Sequence, residues 1–242
     1  MIDKGCSKPV QIKGEAGDLH GYFHKGNPEK ATGGIVLFLS GSGFSTEEQS
    51  LDIATSYTHH GVDVLTINYR GYGQSSGAPS EKGMYNDANA MLSYLVDEKN
   101  IPPENILIHG YSLGAPVGAY LAKSASSKGM TLAGVLLDRP MPSMSKGCRA
   151  HEVPAEKIVG QIAKKMNGVF SVKENITGLP KDTPMMLLSD SEKMGAESEK
   201  LRTALSLEGY KVSGTRTAFK HDDSIGVIHE NIDNILKEFK LG

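Results

Sequence analysis

The chain has 242 residues, 38% hydrophobic and 22% charged, with a formal net charge of −2. This balance suits a globular protein and excludes collagen-like or disordered classes, and no window clusters Lys and Arg as a phosphate-tracking surface requires, so no nucleic acid partner is expected. The opening stretch MIDKGCSKPVQIKGEAGD lacks an apolar signal-type region and no run of 18 apolar residues occurs, so a soluble chain with a cytoplasmic location is expected.

In chain order, the alternation in VQIKGE and LHGYFHK within residues 1–30 predicts one or two antiparallel strands at a sheet edge. GGIVLFLSGSG (33–43) is an apolar run of strand length ending in glycines, as a strand buried on both faces does. TEEQSLDIATSYTHHG predicts a helix with Thr46 as N-cap and Gly61 as its stop. VDVLTINYRGYG (62–73) is a second buried strand with a Gly-rich turn, and EKGMYNDANAMLSYLVDEKN a helix with Met84, Ala88, Met91, Leu92 and Leu95 near one face.

NILIHGYSLG (105–114) repeats the strand-and-glycine form and leads into the helical spacing of SLGAPVGAYLAKSASSKG, where Val117, Tyr120 and Leu121 share a face. LAGVLLDRP (132–140), TPMMLLSD (183–190) and YKVSGTRTAF (210–219) are the remaining strands, and SEKLRTALSLEG and ENIDNILKEFKLG the remaining helices. Strands alternating with helices imply right-handed crossovers. The fold class is α/β, a mostly parallel, doubly wound sheet with helices on both faces. The organisation expected is one domain over 1–242, with a small cap-like insertion at about 139–180 where the rhythm breaks.

Gly110-Tyr111-Ser112-Leu113-Gly114 stands where an apolar strand becomes a helix. G-x-S-x-G alone is a weak signal in a chain with 28 glycines, but this context is that of a nucleophile elbow, a sharp strained turn that presents a serine beyond the strand end. A Cβ at Gly110 or Gly114 would strike the neighbouring strand and helix. A serine hydroxyl needs a base to take its proton and an acid to orient that base. In sites of this kind the order is Ser, acid, His, and His221 and His229 are the only histidines beyond the late strands. His221 directly follows the last strand and is the expected base, whereas His229 lies inside the terminal helix.

The acid is expected just past TPMMLL, with Asp190 first, Glu192 and Asp138 as alternatives, and Asp222 and Asp223 read as loop or capping residues. The oxyanion donors expected are the backbone N–H groups of Leu113 and of Ser42 in the turn after LFLSG. Dinucleotide binding is excluded, because neither glycine loop completes G-x-G-x-x-G. Cys6 and Cys148 are the only cysteines and fit reduced thiols, and Cys148 with His151 and Glu152 lacks a second ligand group, so no metal is expected.

INYRGYGQSSGAPSEKGMYNDANAMLSYL (67–95) resembles a strand, Arg-Gly-Tyr-Gly-x-Ser turn and helix of the α/β-hydrolase superfamily, and within it the Bem46-like or ABHD-type serine hydrolases. HGYSLGAPVGAYLA (109–122) is similar to that family's elbow, and the likeness runs over roughly 33–125, then more loosely to the end. The family usually has His-Gly where Ser40-Gly41 stands, and His-Gly-x-x-Asp where Leu188-Ser189-Asp190 stands.

The resemblance implies an α/β-hydrolase fold acting through Ser112 and His221 on a carboxylic ester or thioester, by way of an acyl-enzyme and with no cofactor. Family members include lipid hydrolases and enzymes that deacylate protein cysteines, and similar domains serve as effector modules of large bacterial toxins, delivered into a host cell. The partner implied is a small-molecule or lipid ester, with peripheral membrane contact in the lipid case. Met141, Met144, Met166, Val169 and Phe170 suit either an acyl groove or the core, and the core is the commoner use. The unusual acid loop and Ser40 leave two competitors: a catalytically silent binding module, and an acyltransferase using the same three side chains.

Overall fold

The computed structural model describes residues 7–41, 49–143, 170–221 and 223–242. One eight-stranded sheet runs through it in the order β1-β2-β4-β3-β5-β6-β7-β8. Its strands are β1 (Ser7–Gly14), β2 (Gly17–His24), β3 (Ile35–Leu39), β4 (Asp63–Ile67), β5 (Ile106–Tyr111), β6 (Gly134–Asp138), β7 (Met185–Ser189) and β8 (Val212–Arg216). The β1–β2 hairpin is antiparallel and joins the edge through β2 on β4, and every pairing from β4 to β8 is parallel.

The apolar strands are buried on both faces, which is why they read as continuous hydrophobic runs. Ile35, Leu37 and Leu39 pack on one side with Ile106, Ile108, Val135, Leu137, Met185 and Leu187. Their alternate neighbours Val36, Phe38, Leu107, Leu136, Met186 and Leu188 pack on the other. This is the two-residue period of a strand turned into two cores.

The helices are α1 (Gln49–Thr58), α2 (Glu81–Ser93), α3 (Gly114–Ser127), α4 (Val172–Ile176), α5 (Lys193–Leu207) and α6 (Ser224–Glu238). Helices α2 to α5 cover the first face, with Met84, Ala88, Met91 and Leu92 of α2 and Val117 and Leu121 of α3 buried there. Helices α1 and α6 cover the second through Tyr57, Val227, Ile228 and Ile235. Ser80 caps α2 by accepting from the Gly83 N–H at 3.0 Å, and the helix runs on through a wide π turn, Tyr94–Glu98.

Three boundaries differ from the expected ones. β8 spans five residues, half of the 210–219 run, and its second half faces solvent, so no core continues the apolar pattern. The last two helices begin earlier than their hydrophobic spacing suggests, α6 because Asp223 caps it by accepting from the Gly226 N–H at 3.0 Å. Thr46 and most of the 139–180 insertion lie outside the described residues, and the insertion's described flanks put Met141 and Phe170 into the first core. Among the described residues no helix is long and apolar enough to cross a membrane.

The chain moves from β3 to β4 on one side and then returns to place β5 on β3's other side. The C-terminal ends of β3 and β5 therefore flank the point where the winding reverses, the position at which open α/β sheets bind ligands.

Candidate active site

Ser112 is the first residue after β5, at that reversal point. Its φ is +52°, a left-handed conformation costing a side-chain-bearing residue about 1–3 kcal/mol. The surrounding structure holds it there. The Ser112 N–H donates to the Asp138 carbonyl at 3.0 Å, and the Ser112 carbonyl accepts from Ala115 at 3.2 Å and from Met141 at 3.1 Å.

The two flanking glycines are required by contact. A Cβ at Gly110 would stand 2.5 Å from the Gly114 carbonyl oxygen, and one at Gly114 would run into the Leu39 carbonyl. Gly41, two residues past β3, is less crowded but still tightly packed: a Cβ there would lie 3.1 Å from the Tyr111 ring and 3.3 Å from Ser112 Cβ. The turn after β3 thus packs directly on the elbow.

Asp190 follows β7 and His221 lies five residues beyond β8, so the winding brings two distant loops to Ser112. His221 Nε2 is 3.1 Å from Ser112 Oγ, and His221 Nδ1 is 2.8 Å from Asp190 Oδ2. The other carboxylate oxygen of Asp190 accepts from the backbone N–H groups of Glu192 at 2.9 Å and Gly195 at 2.7 Å. Burial opposes ionisation of Asp190, but the His221 bond, the two N–H groups and the attraction of the imidazole outweigh it and hold the carboxyl below its ordinary range. An ionised Asp190 only accepts. In the neutral imidazole the Nδ1 proton therefore faces Asp190, and Nε2 can accept from the Ser112 hydroxyl.

The alternative acids stand elsewhere. Glu192 accepts from the backbone N–H of His221 at 3.3 Å. Asp138 does not reach His221: one oxygen accepts from Arg139 Nε at 2.7 Å, the other from Arg139 Nη2 at 2.9 Å and His109 Nε2 at 3.1 Å. Burial again opposes its charge, yet the Arg139 guanidinium and His109 keep it far below the usual carboxylate range. His229 is exposed on α6.

Of the two expected oxyanion donors, Leu113 is the residue that caps the start of α3, and among the described residues nothing accepts from its backbone N–H. Ser42 lies outside the described residues, as do Asp222, Cys148, His151, Glu152, Met144, Met166 and Val169.

Three side chains at the site escaped sequence reasoning. Tyr111 Oη donates to the His221 carbonyl at 2.9 Å, Arg139 Nη1 donates to the same carbonyl at 2.7 Å, and His109 bonds Asp138 beneath them. The signal available was a charged pair, Asp138-Arg139, placed directly at the end of a buried strand, where unpaired charge is not tolerated.

The comparisons with known proteins agree with this architecture. A family model described as alpha/beta hydrolase fold matches residues 34–150. A Vibrio vulnificus multifunctional-autoprocessing repeats-in-toxin is 49% identical over 243 residues, which is 97% of this chain and 5% of the toxin, so the chain spans a small part of that relative's length. The crystal structure of an alpha-beta hydrolase from Vibrio vulnificus is 49% identical with a TM-score of 0.87, covering 98% of this chain and 83% of that one. The Danio rerio lysophosphatidylserine lipase ABHD12 is 28% identical over 118 residues, 48% of this chain and 30% of the lipase. On its sheet order, its elbow and these likenesses, the chain belongs to the α/β-hydrolase family.

Proposed function

We propose that this chain is a serine hydrolase that cleaves a carboxylic ester or thioester through an acyl-enzyme, with Ser112 as nucleophile, His221 as general base and Asp190 as the orienting acid. The observation that carries the reading is the His221 imidazole, 3.1 Å from Ser112 Oγ on one side and 2.8 Å from Asp190 on the other. Nucleophile, base and orienter are then joined by hydrogen bonds in the sequence acyl transfer needs.

Each step follows from that geometry. Ser112 Oγ attacks the carbonyl carbon while its proton passes to His221 Nε2, and the imidazolium so formed is held by ionised Asp190. Negative charge developing on the substrate oxygen is met by the Leu113 N–H at the positive end of α3, a donor whose loss in comparable sites costs about 3 kcal/mol. The tetrahedral adduct collapses, the alcohol or thiol leaves with the proton from Nε2, and the acyl group remains on Ser112. Water repeats the cycle on that ester, giving its proton to His221, and the free acid leaves. No redox or Lewis-acid step is needed, so the reading requires no cofactor.

The substrate class is an ester of a lipid or of an acylated molecule, met at a membrane surface if it is a lipid. This rests on the lipase and toxin relatives, and a module of such a toxin would act inside the cell that receives it. We also read the chain as one hydrolase domain, since a single sheet carries all three residues. Turnover of a short p-nitrophenyl ester by the 242-residue chain tests the reading. Hydrolysis that disappears in folded Ser112→Ala supports it, and hydrolysis that survives overturns it. No turnover by the wild type on short or long acyl chains favours a silent binding module.

A further inference from the structure

We propose that Arg139 is a positioning residue that sets the distance between Ser112 and His221, acting through the His221 main chain. The proposal rests on the serine hydrolase reading above. Its ground is one dipeptide at the end of β6 that grips both sides of the site. The Asp138 carbonyl accepts the Ser112 N–H at 3.0 Å, and the Arg139 guanidinium donates to the His221 carbonyl at 2.7 Å.

His221 sits in the loop between β8 and α6, and a loop by itself is a poor support for a general base. Two donors from the rigid sheet converge on its carbonyl, Arg139 Nη1 and Tyr111 Oη. The imidazole also stacks on Tyr111, with centroids 5.5 Å apart, and the Arg139 guanidinium lies 4.7 Å from the centroid of the same ring.

Arg139 is itself held on several sides. It is fully buried, its φ is +42°, and its N–H donates to the Leu188 carbonyl of β7 at 2.8 Å. Its Nε and Nη2 form a fork onto Asp138, which also accepts from His109, and Tyr57 Oη lies 3.1 Å from His109 Nδ1. With Asp138 ionised, His109 donates through Nε2 and accepts from the Tyr57 hydroxyl through Nδ1, so the chain of bonds is satisfied from α1 to the His221 loop. A buried ion pair that served stability alone would need no bond to His221, and hydrophobic replacements often serve stability as well or better. Here the remaining arm of the guanidinium is spent on the base-bearing loop.

The geometry requires arginine. Lysine keeps the charge that Asp138 needs, but its compact ammonium cannot fork onto a carboxylate and reach the His221 carbonyl at once. A displacement of about 1 Å in a catalytic group costs on the order of 100-fold in rate.

The test uses the 242-residue chain as wild type, Arg139→Lys, Tyr111→Phe and the double variant. It measures kcat and KM for p-nitrophenyl acetate, the rate at which a fluorophosphonate captures Ser112, and thermal unfolding. The proposal expects folded Arg139→Lys to lose about 10- to 100-fold in kcat and capture rate with KM within about twofold, and the double variant to lose more. A reactive wild type with folded Arg139→Lys equally fast, or with only KM changed, overturns the proposal and leaves the hydrolase reading standing. If Arg139→Lys does not fold, Tyr111→Phe decides, since it removes one hydroxyl and keeps the ring: a slower capture supports positioning through the carbonyl, and an unchanged one overturns it. A wild type that neither turns over nor is captured defeats the hydrolase reading and the proposal with it.

Discussion

Asp190 Oδ2 and His221 Nδ1 are 2.8 Å apart across 31 residues of chain, and the second oxygen of Asp190 is already held by the N–H groups of Glu192 and Gly195. The carboxylate therefore cannot rotate away from the imidazole without breaking two further bonds. A second buried pair, His109 with Asp138, is 3.1 Å apart close by, but its histidine faces Tyr57 and not the serine.

Asp190→Asn should keep the fold and lower kcat for a p-nitrophenyl ester by about 10³- to 10⁴-fold, because an amide favours the wrong imidazole tautomer. The pH dependence of stability carries the same residue's signature. The folded carboxyl of Asp190 lies below its unfolded value, so its stabilisation is present above the ordinary carboxylate pKa and is lost as pH falls through the folded one. Urea titrations from neutral pH into the acid range should show a smaller acid loss in Asp190→Asn than in wild type. Equal losses would contradict the assignment.

Ser112 holds a left-handed backbone with φ +52°. Glycine takes that conformation without strain, so Ser112→Gly should be more stable than Ser112→Ala by about 1 kcal/mol while both are inactive. Denaturant midpoints of the two variants measure this, and a less stable glycine variant would show that the turn is not strained.

Gly114→Ala forces a methyl group into the Leu39 carbonyl, between α3 and β3. It should cost more than the 1–3 kcal/mol or so of ordinary overpacking, because the obstacle is backbone. Gly129→Ala is the control: its φ is +76° but nothing lies within 4 Å of the added carbon, so it should show the cost of conformation alone. Thermal unfolding should rank Gly114→Ala well below Gly129→Ala.

Burial pushes the pKa of His24 down to about 4, where its ring lies 2.8 Å from Ser7 Oγ and 3.1 Å from Thr66 Oγ1. The unfolded imidazole titrates near 6.5, so the unfolded state gains a proton first as pH falls. Stability should therefore decline from about pH 6.5 down to about 4, by on the order of 3 kcal/mol from this group. His24→Gln cannot titrate, and its stability curve should be flatter across that window. A parallel pair of curves would remove His24 as the cause.

Much of this molecule is readable in its residues, and the unreadable parts share a cause. Val36 and Leu37 alternate between two cores, so the buried strands announce themselves as unbroken apolar runs. Gly110 and Gly114 mark the elbow because their contacts are with near neighbours in sequence or with the adjacent strand. Which carboxylate meets the His221 ring is another matter, since Asp138, Asp190 and Glu192 all stand at or just past the ends of neighbouring strands. What separates them is occupancy: Asp138 is taken by Arg139 and by His109, 29 residues away. Arg139 shows the same limit. The Asp138-Arg139 pair at the end of a buried strand signals mutual pairing, but nothing local says that the guanidinium also reaches the His221 carbonyl, 82 residues on.

Activation of the Ser112 hydroxyl by His221 should show as rapid capture of that serine by an electrophile. The measurement is to incubate the 242-residue chain with a fluorophosphonate and locate the adduct by mass spectrometry of the digested protein. One phosphonylated residue is expected, Ser112, formed rapidly in wild type, at least about 100-fold more slowly in His221→Ala, and not at all in Ser112→Ala. An adduct on another residue, or a Ser112 adduct formed as fast without His221 as with it, would rule that activation out.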